Sequence, residues 1–226
     1  MTRTESGVER GEAPQPKDLR PWGVMAADLP DPAMGRLGPE FFFPGRDAGR
    51  PFELEIGSGK GTFLVQEAAT RAGSDFLGVE YAGEFFRYAA DRVRRRGLSN
   101  VRLLYADAVE FVRHWLADGR TSVVHLYFSD PWPQKRHHKR RVLQLDTLAH
   151  FHRVLAAGGE LRLVTDHPDL WAWYETLVPQ VTHLFERRPF ERPASAGEGE
   201  VVGTNFERKY RREGRPFHGM TLVRLG

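Results

Sequence analysis

At 226 residues, with 40% hydrophobic and 28% charged residues, the chain suits one well-filled α/β domain and has no apolar stretch near the ~20 residues of a bilayer-spanning helix. It contains no cysteine, which excludes disulfides, thiolate zinc sites and the thiolate nucleophile of enzymes that methylate carbon 5 of a pyrimidine, and agrees with a reducing compartment. The net charge of +3 is only mildly basic, so any case for a nucleic-acid partner rests on where the charges sit.

Residues 1–24 mix both charge signs with Gly and Pro and lack the apolar core of a secretion signal, so they read as a flexible tail on an intracellular protein. A single domain is expected over 25–226. From residue 52, β-prone runs alternate with helical ones: FELEI and TFLVQEAATRA, FLGVE and GEFFRYAADRVRRRG, VRLLY and AVEFVRHWLADG. SVVHLYF and VLQLDTLAHFHRVLAAGG follow, then ELRLV and PDLWAWYETLV. This alternation predicts a parallel sheet with helices on both faces. VTHLFERR and the closing MTLVRL add an antiparallel pair, which makes seven strands, and RPASAGEGE between them reads as a surface loop.

In such a sheet ligands bind beyond the carboxyl ends of the strands. Glu55, Glu80, Asp107, Asp130 and Asp166 all stand there. ELEIGSGKGTFL is not a Walker loop, since Gly61 follows Lys60 and Leu54 stands where its first Gly belongs. It also misses the dinucleotide fingerprint, which needs Gly where Thr62 stands. The remaining pattern, an acid and then alternate glycines (Gly57, Gly59, Gly61), suits S-adenosylmethionine: bare glycines allow close approach, and Glu55 can attract the ligand's ammonium and sulfonium charges. Glu80 is placed for both ribose hydroxyls and Asp107 for the adenine amino group. Helix capping is the plain alternative for each acid, but three at consecutive strand ends favour a cofactor.

FSDPWPQKRHHKRR, residues 128–141, follows the fourth strand. The Asp130 carboxylate can accept from the ring N–H and the exocyclic amino group of guanine together, a donor pair adenine lacks. Trp132, expected to be extended between Pro131 and Pro133, can stack on the base. Lys135 to Arg141 can neutralise phosphates where the next helix begins, and adjacent His137 and His138 make a poor metal pair. No metal is expected. Asp166 is either a ligand contact or a helix cap, Trp171 and Trp173 read as packing residues, and RVRRR at 92–96 as a solvated helix end.

EIGSGKG, FLGVE, ADA, FSDPWPQKRHHKRR, VTD and the late TNFE together resemble the bacterial tRNA (guanine-N7-)-methyltransferase family from about residue 50 onward. The resemblance implies a Rossmann-like class I methyltransferase that uses S-adenosylmethionine to form 7-methylguanosine in the tRNA variable loop, as a cytoplasmic monomer or homodimer. Carried over by position, Glu55, Gly57, Gly59, Glu80, Asp107 and Asp130 become cofactor residues, and Asp130 is also the catalytic one. Gln134, Lys135, Asp166, Thr204, Asn205, Phe206 and Glu207 become substrate-side residues. The family usually has Lys where Gln134 stands and commonly where Asn205 stands, so this chain lacks two positive charges near the substrate. Rival readings are an adenine amino-methyltransferase, whose aromatic sits one residue later, and an RNA-binding module without catalysis.

Overall fold

The computed structural model describes residues 18–47 and 49–226, so most of the expected tail, residues 1–17, lies outside the described residues. The sheet contains β1 (Gly23–Met25), β2 (Phe52–Ile56), β3 (Asp75–Glu80), β4 (Val101–Tyr105), β5 (Thr121–Tyr127), β6 (Leu155–Thr165), β7 (Phe185–Pro189) and β8 (His218–Arg224). The helices are α1 (Pro39–Phe42), α2 (Thr62–Thr70), α3 (Gly83–Arg95), α4 (Ala108–His114), α5 (Leu145–Val154), α6 (Pro168–Leu177) and α7 (Asn205–Arg212).

The sheet has eight strands in the order β1-β4-β3-β2-β5-β6-β8-β7, all parallel except β8, which runs antiparallel to β6 and β7. Seven of these are the predicted ones. The eighth, β1, pairs Gly23 with Leu103 and extends the sheet into residues assigned to the tail; three residues are too few for alternation to register. A second difference is at β6, which begins at Leu155, where LAAGG reads as the end of a helix because Ala and Leu are good helix formers.

Central strands β2 and β3 are buried along their whole length, as parallel strands covered on both faces must be. One face is covered by α2 and α3 through Phe63, Leu64, Phe86, Ala89 and Val93. The other is covered by α4, α5 and α6 through Phe111, Phe151, Leu170 and Tyr174. Beneath the first face lies a buried polar chain. His125 Nε2 lies 2.9 Å from Glu53 Oε2 and its Nδ1 lies 2.7 Å from the Tyr127 hydroxyl, while Arg71 pairs with Glu53. Burial opposes ionisation of Glu53, but His125 and Arg71 outweigh it and hold the carboxyl below its ordinary value. An ionised Glu53 accepts from Nε2–H, which leaves Nδ1 to accept the Tyr127 proton.

Gly78 on β3 is where the sheet, α2 and the loop after β2 meet. A Cβ there would stand 2.4 Å from Leu64 Cδ1, 2.8 Å from Leu103 Cδ1 and 2.9 Å from Ser58 Cβ. Gly78→Ala is therefore expected to lower unfolding stability by about 1–3 kcal/mol, the cost of overpacking a tight core. Urea unfolding measures it, and an unshifted midpoint would contradict the tight junction.

Candidate active site

Strand order reverses between β2 and β5, so the chain leaves these neighbouring strands in opposite directions and their carboxyl ends open a cleft. Two adjoining pockets of about 240 and 400 Å³ occupy it, sharing Gly57, Gly59, Phe85, Tyr127, Phe128 and Phe206 as common walls. Both fit the roughly 300–1,000 Å³ scale of small-molecule sites once joined.

The first wall is the glycine loop. Gly57, Gly59 and Gly61 have φ of 71°, 53° and 64°, in the left-handed region that glycine tolerates, and a Cβ on Gly57 would meet nothing within 4 Å. The open side of that residue therefore faces the cleft. The loop is tied to β3: Gly57 N–H donates to the Val79 carbonyl at 2.9 Å, and Gly59 N–H donates to Glu80 Oε2 at 2.7 Å. The other Glu80 oxygen accepts from Ala82 N–H at 2.7 Å.

Each predicted strand-end acid lines the cleft except Asp166, but their surroundings differ. Glu55 is 4% exposed and its Oε2 has no hydrogen-bond partner; burial, and then the neighbouring Glu80, push its carboxyl well above the ordinary range. Asp107 lines the cleft and also caps α4, accepting from Val109 and Glu110 N–H at 2.9 and 3.1 Å through Oδ1, which leaves Oδ2 without a hydrogen bond among the described residues. Asp130 is exposed and makes no hydrogen bond among the described residues. Asp166 neither caps a helix nor stands free: Arg215 Nη1 donates to it at 2.8 Å.

The peptide around Trp132 departs from expectation. Trp132 has φ of 43° rather than an extended conformation, although it precedes a proline, and Phe128 has φ of 53°. Two contacts sustain the turn: the Ser129 and Tyr174 hydroxyls lie 3.1 Å apart, and Arg141 Nε donates to the Pro131 carbonyl at 2.8 Å. Arg141 is 3% exposed beside Trp173, so it belongs to the scaffold and not to a phosphate-binding surface. Lys135 to Arg140 form a 3₁₀ helix, in which Arg140 lies 4.9 Å over the Trp132 ring and Lys135, Arg136 and Lys139 are exposed.

Glu207 was expected on the substrate side, and the structure turns it inward. It is fully buried and accepts from Val202 and Gly203 N–H at 2.8 Å, from Val201 N–H and from Arg211, closing the loop before α7. Thr204 caps α7 by accepting from Glu207 N–H at 3.0 Å. Asn205 and Phe206 are exposed on the cleft side, with Phe206 3.6 Å from a Cβ built on Gly59. Sequence reasoning missed Phe85, Tyr127 and Phe128, which line the cleft, and Tyr210, whose ring lies 6.2 Å from both Phe128 and Phe206 under the Arg215 guanidinium. Tyr210 stands four residues after Phe206, a spacing that places both on one face of α7.

A family model described as "Putative methyltransferase" matches residues 49–220. The tRNA (guanine-N(7)-)-methyltransferase of Alkalilimnicola ehrlichii is 36% identical over 213 residues, covering 92% of this chain and 77% of the relative. That of Geobacillus kaustophilus is 34% identical over 196 residues, covering 87% and 88%. The chain belongs to the tRNA (guanine-N7-)-methyltransferase family. Its fold is similar to the crystal structure of the antibiotic-resistance methyltransferase Kmr, at a TM-score of 0.53 and 22% identity over 79% of this chain and 89% of that one. The glycine loop and the acids Glu55, Glu80, Asp107 and Asp130 share one sheet edge.

The state of Glu55 sets a pH dependence. Unfolded, the carboxyl titrates near its ordinary 4.5, and folded it titrates well above. Between those values the folded chain holds the extra proton, so stability falls as pH rises, by up to about 1.4 kcal/mol per pH unit. Glu55→Gln is expected to remove this decline. Urea unfolding of both proteins across the window checks it, and parallel pH profiles would contradict it.

Proposed function

We infer that this chain transfers the methyl group of S-adenosylmethionine to N7 of guanine in tRNA, and that its target is a guanosine of the variable loop. The observation that carries the reading is Asp130: an exposed, unpartnered carboxylate at the end of β5, in the same cleft as the buried, unpartnered Glu55 oxygen and the open side of Gly57.

The donor set fits S-adenosylmethionine. Glu55 needs a cation to be ionised in its buried position, and the cofactor's ammonium or sulfonium is one. Glu80 keeps a lone pair on each oxygen for the ribose hydroxyls, and Asp107 Oδ2 is left for the adenine amino group. When bound, the cofactor supplies an electrophilic methyl carbon.

The chain's own residues then orient the base. Asp130 accepts from guanine N1–H and the exocyclic amino group, and Trp132, backed by Arg140, supplies a ring for stacking. N7 already bears a free lone pair, so no general base is needed; alignment and a carboxylate facing the positive charge that develops on the ring are sufficient. Lys135, Arg136 and Lys139 are exposed to hold phosphates beside the cleft.

Incubation with radiolabelled-methyl S-adenosylmethionine and unmodified tRNA transcripts, followed by nucleoside analysis, is expected to place label in 7-methylguanosine. Replacement of the variable-loop guanosine should abolish it, and label in methyladenosine would overturn the base assignment. Asp130→Ala should cut turnover at least ~100-fold, the lower range for a positioned catalytic interaction, with cofactor affinity largely kept. Near-normal turnover would refute that role.

A further inference from the structure

The arginines that end α3 divide by what they touch. Arg94 and Arg95 are both committed to Asp91, at 2.8 and 3.0 Å. Arg92 instead donates to the Thr62 hydroxyl at 2.9 Å and to the Lys60 carbonyl at 3.3 Å, while Arg96 is exposed. Among the described residues neither Arg92 nor Arg96 has an acidic partner within ion-pair distance. Burial first, then Arg96, and with smaller effect Arg95 and Arg208 of α7, push the Arg92 guanidinium below its ordinary value against an opposing effect of Tyr88.

Lys60, next to these arginines, lies 5.8 Å over the Phe85 ring and 5.6 Å over that of Tyr88, which is 49% exposed. Tyr88, Arg92 and Arg96 fall four residues apart on one side of α3, so Lys60, Arg92 and Arg96 lie together beside an exposed ring at the rim of the glycine loop, on the α2 and α3 face of the sheet, whereas Arg208 is paired with Glu200 at 2.6 Å. The Lys135–Arg140 block leads instead into α5, on the opposite face. A tRNA strand that lays one guanosine in the cleft continues in both directions, so its backbone leaves over both faces. Cations left uncompensated repel one another in the free protein, and a polyanion relieves them.

We propose that Lys60, Arg92 and Arg96, with Tyr88, form a second RNA-docking surface that grips the phosphodiester backbone of the tRNA across the cleft from the Lys135–Arg140 block. This surface rests on tRNA being the substrate. It lies away from the reacting atoms and acts on affinity, through phosphate neutralisation, with Tyr88 offering its ring to a ribose or base.

The test is a tRNA-binding titration across salt concentrations for the full chain, Arg96→Gln and the Arg92→Gln/Arg96→Gln pair. Each neutralised cation should flatten the log affinity against log salt slope by roughly 0.7–0.9, and the pair should weaken binding at low salt by about tenfold. Among the described residues the Arg96 side chain has no partner to lose, so its single variant carries the result even if the pair folds poorly. Arg188→Gln, on distant β7, should leave the slope unchanged. A wild-type slope in Arg96→Gln and in the pair would overturn the proposal while tRNA methylation by the parent stood. A parent chain that neither binds nor methylates tRNA would overturn the substrate reading itself.

Discussion

The Glu80 carboxylate accepts from Gly59 N–H through one oxygen and from Ala82 N–H through the other, both at 2.7 Å, and so fastens the end of β3 to the loop after β2. Three glycines in left-handed conformations would otherwise make that loop soft. With the loop held, the open side of Gly57 faces the cleft, Glu55 stays beneath it, and Arg92 can reach Thr62 from α3. Gly78 completes the junction by letting Leu64, Leu103 and Ser58 close over β3. The glycine loop, the strand ends at the cleft and the cationic rim thus take their relative positions from one buried seam.

Five acids stand at five strand ends, and their environments assign them different work. Glu55 is dry and one of its oxygens has no partner, whereas Glu80 accepts one backbone N–H on each oxygen and so holds the loop in place. Asp107 caps a helix through one oxygen and keeps the other unpartnered among the described residues. Asp130 is wet and free, the state suited to reading the edge of an incoming base. Asp166 is bound by Arg215, whose guanidinium also covers Tyr210, so it braces that aromatic wall rather than standing as an open acceptor.

The parallel core and the acids along its cleft edge were legible because buried strands, amphipathic helices and strand-end acids leave local patterns, and FELEI and VRLLY match β2 and β4 residue for residue. β1 was not, since three residues carry no period. Trp132 was misread because its flanking prolines favour an extended chain, whereas Arg141 and Tyr174, anchored elsewhere, hold the turn otherwise. Glu207 was misplaced because a motif names a residue without showing which way its side chain turns. The Glu53, Arg71 and His125 cluster and the hydrogen bond of Arg92 to Thr62 join residues far apart in the chain, which no local reading brings together.

The central claim is that Asp130 reads the paired donors of guanine. The most direct measurement is a double-mutant cycle in kcat/KM: parent chain and Asp130→Ala, each on tRNA carrying guanosine or inosine at the target site. Inosine keeps N7 and N1–H but lacks the exocyclic amino group. Loss of one hydrogen bond to a charged acceptor, about 1.5–3 kcal/mol, is predicted to slow the parent chain roughly 10- to 100-fold on inosine. Asp130→Ala should then treat both tRNAs nearly alike. An equal inosine penalty in both proteins would contradict the claim and place recognition of the amino group on another residue.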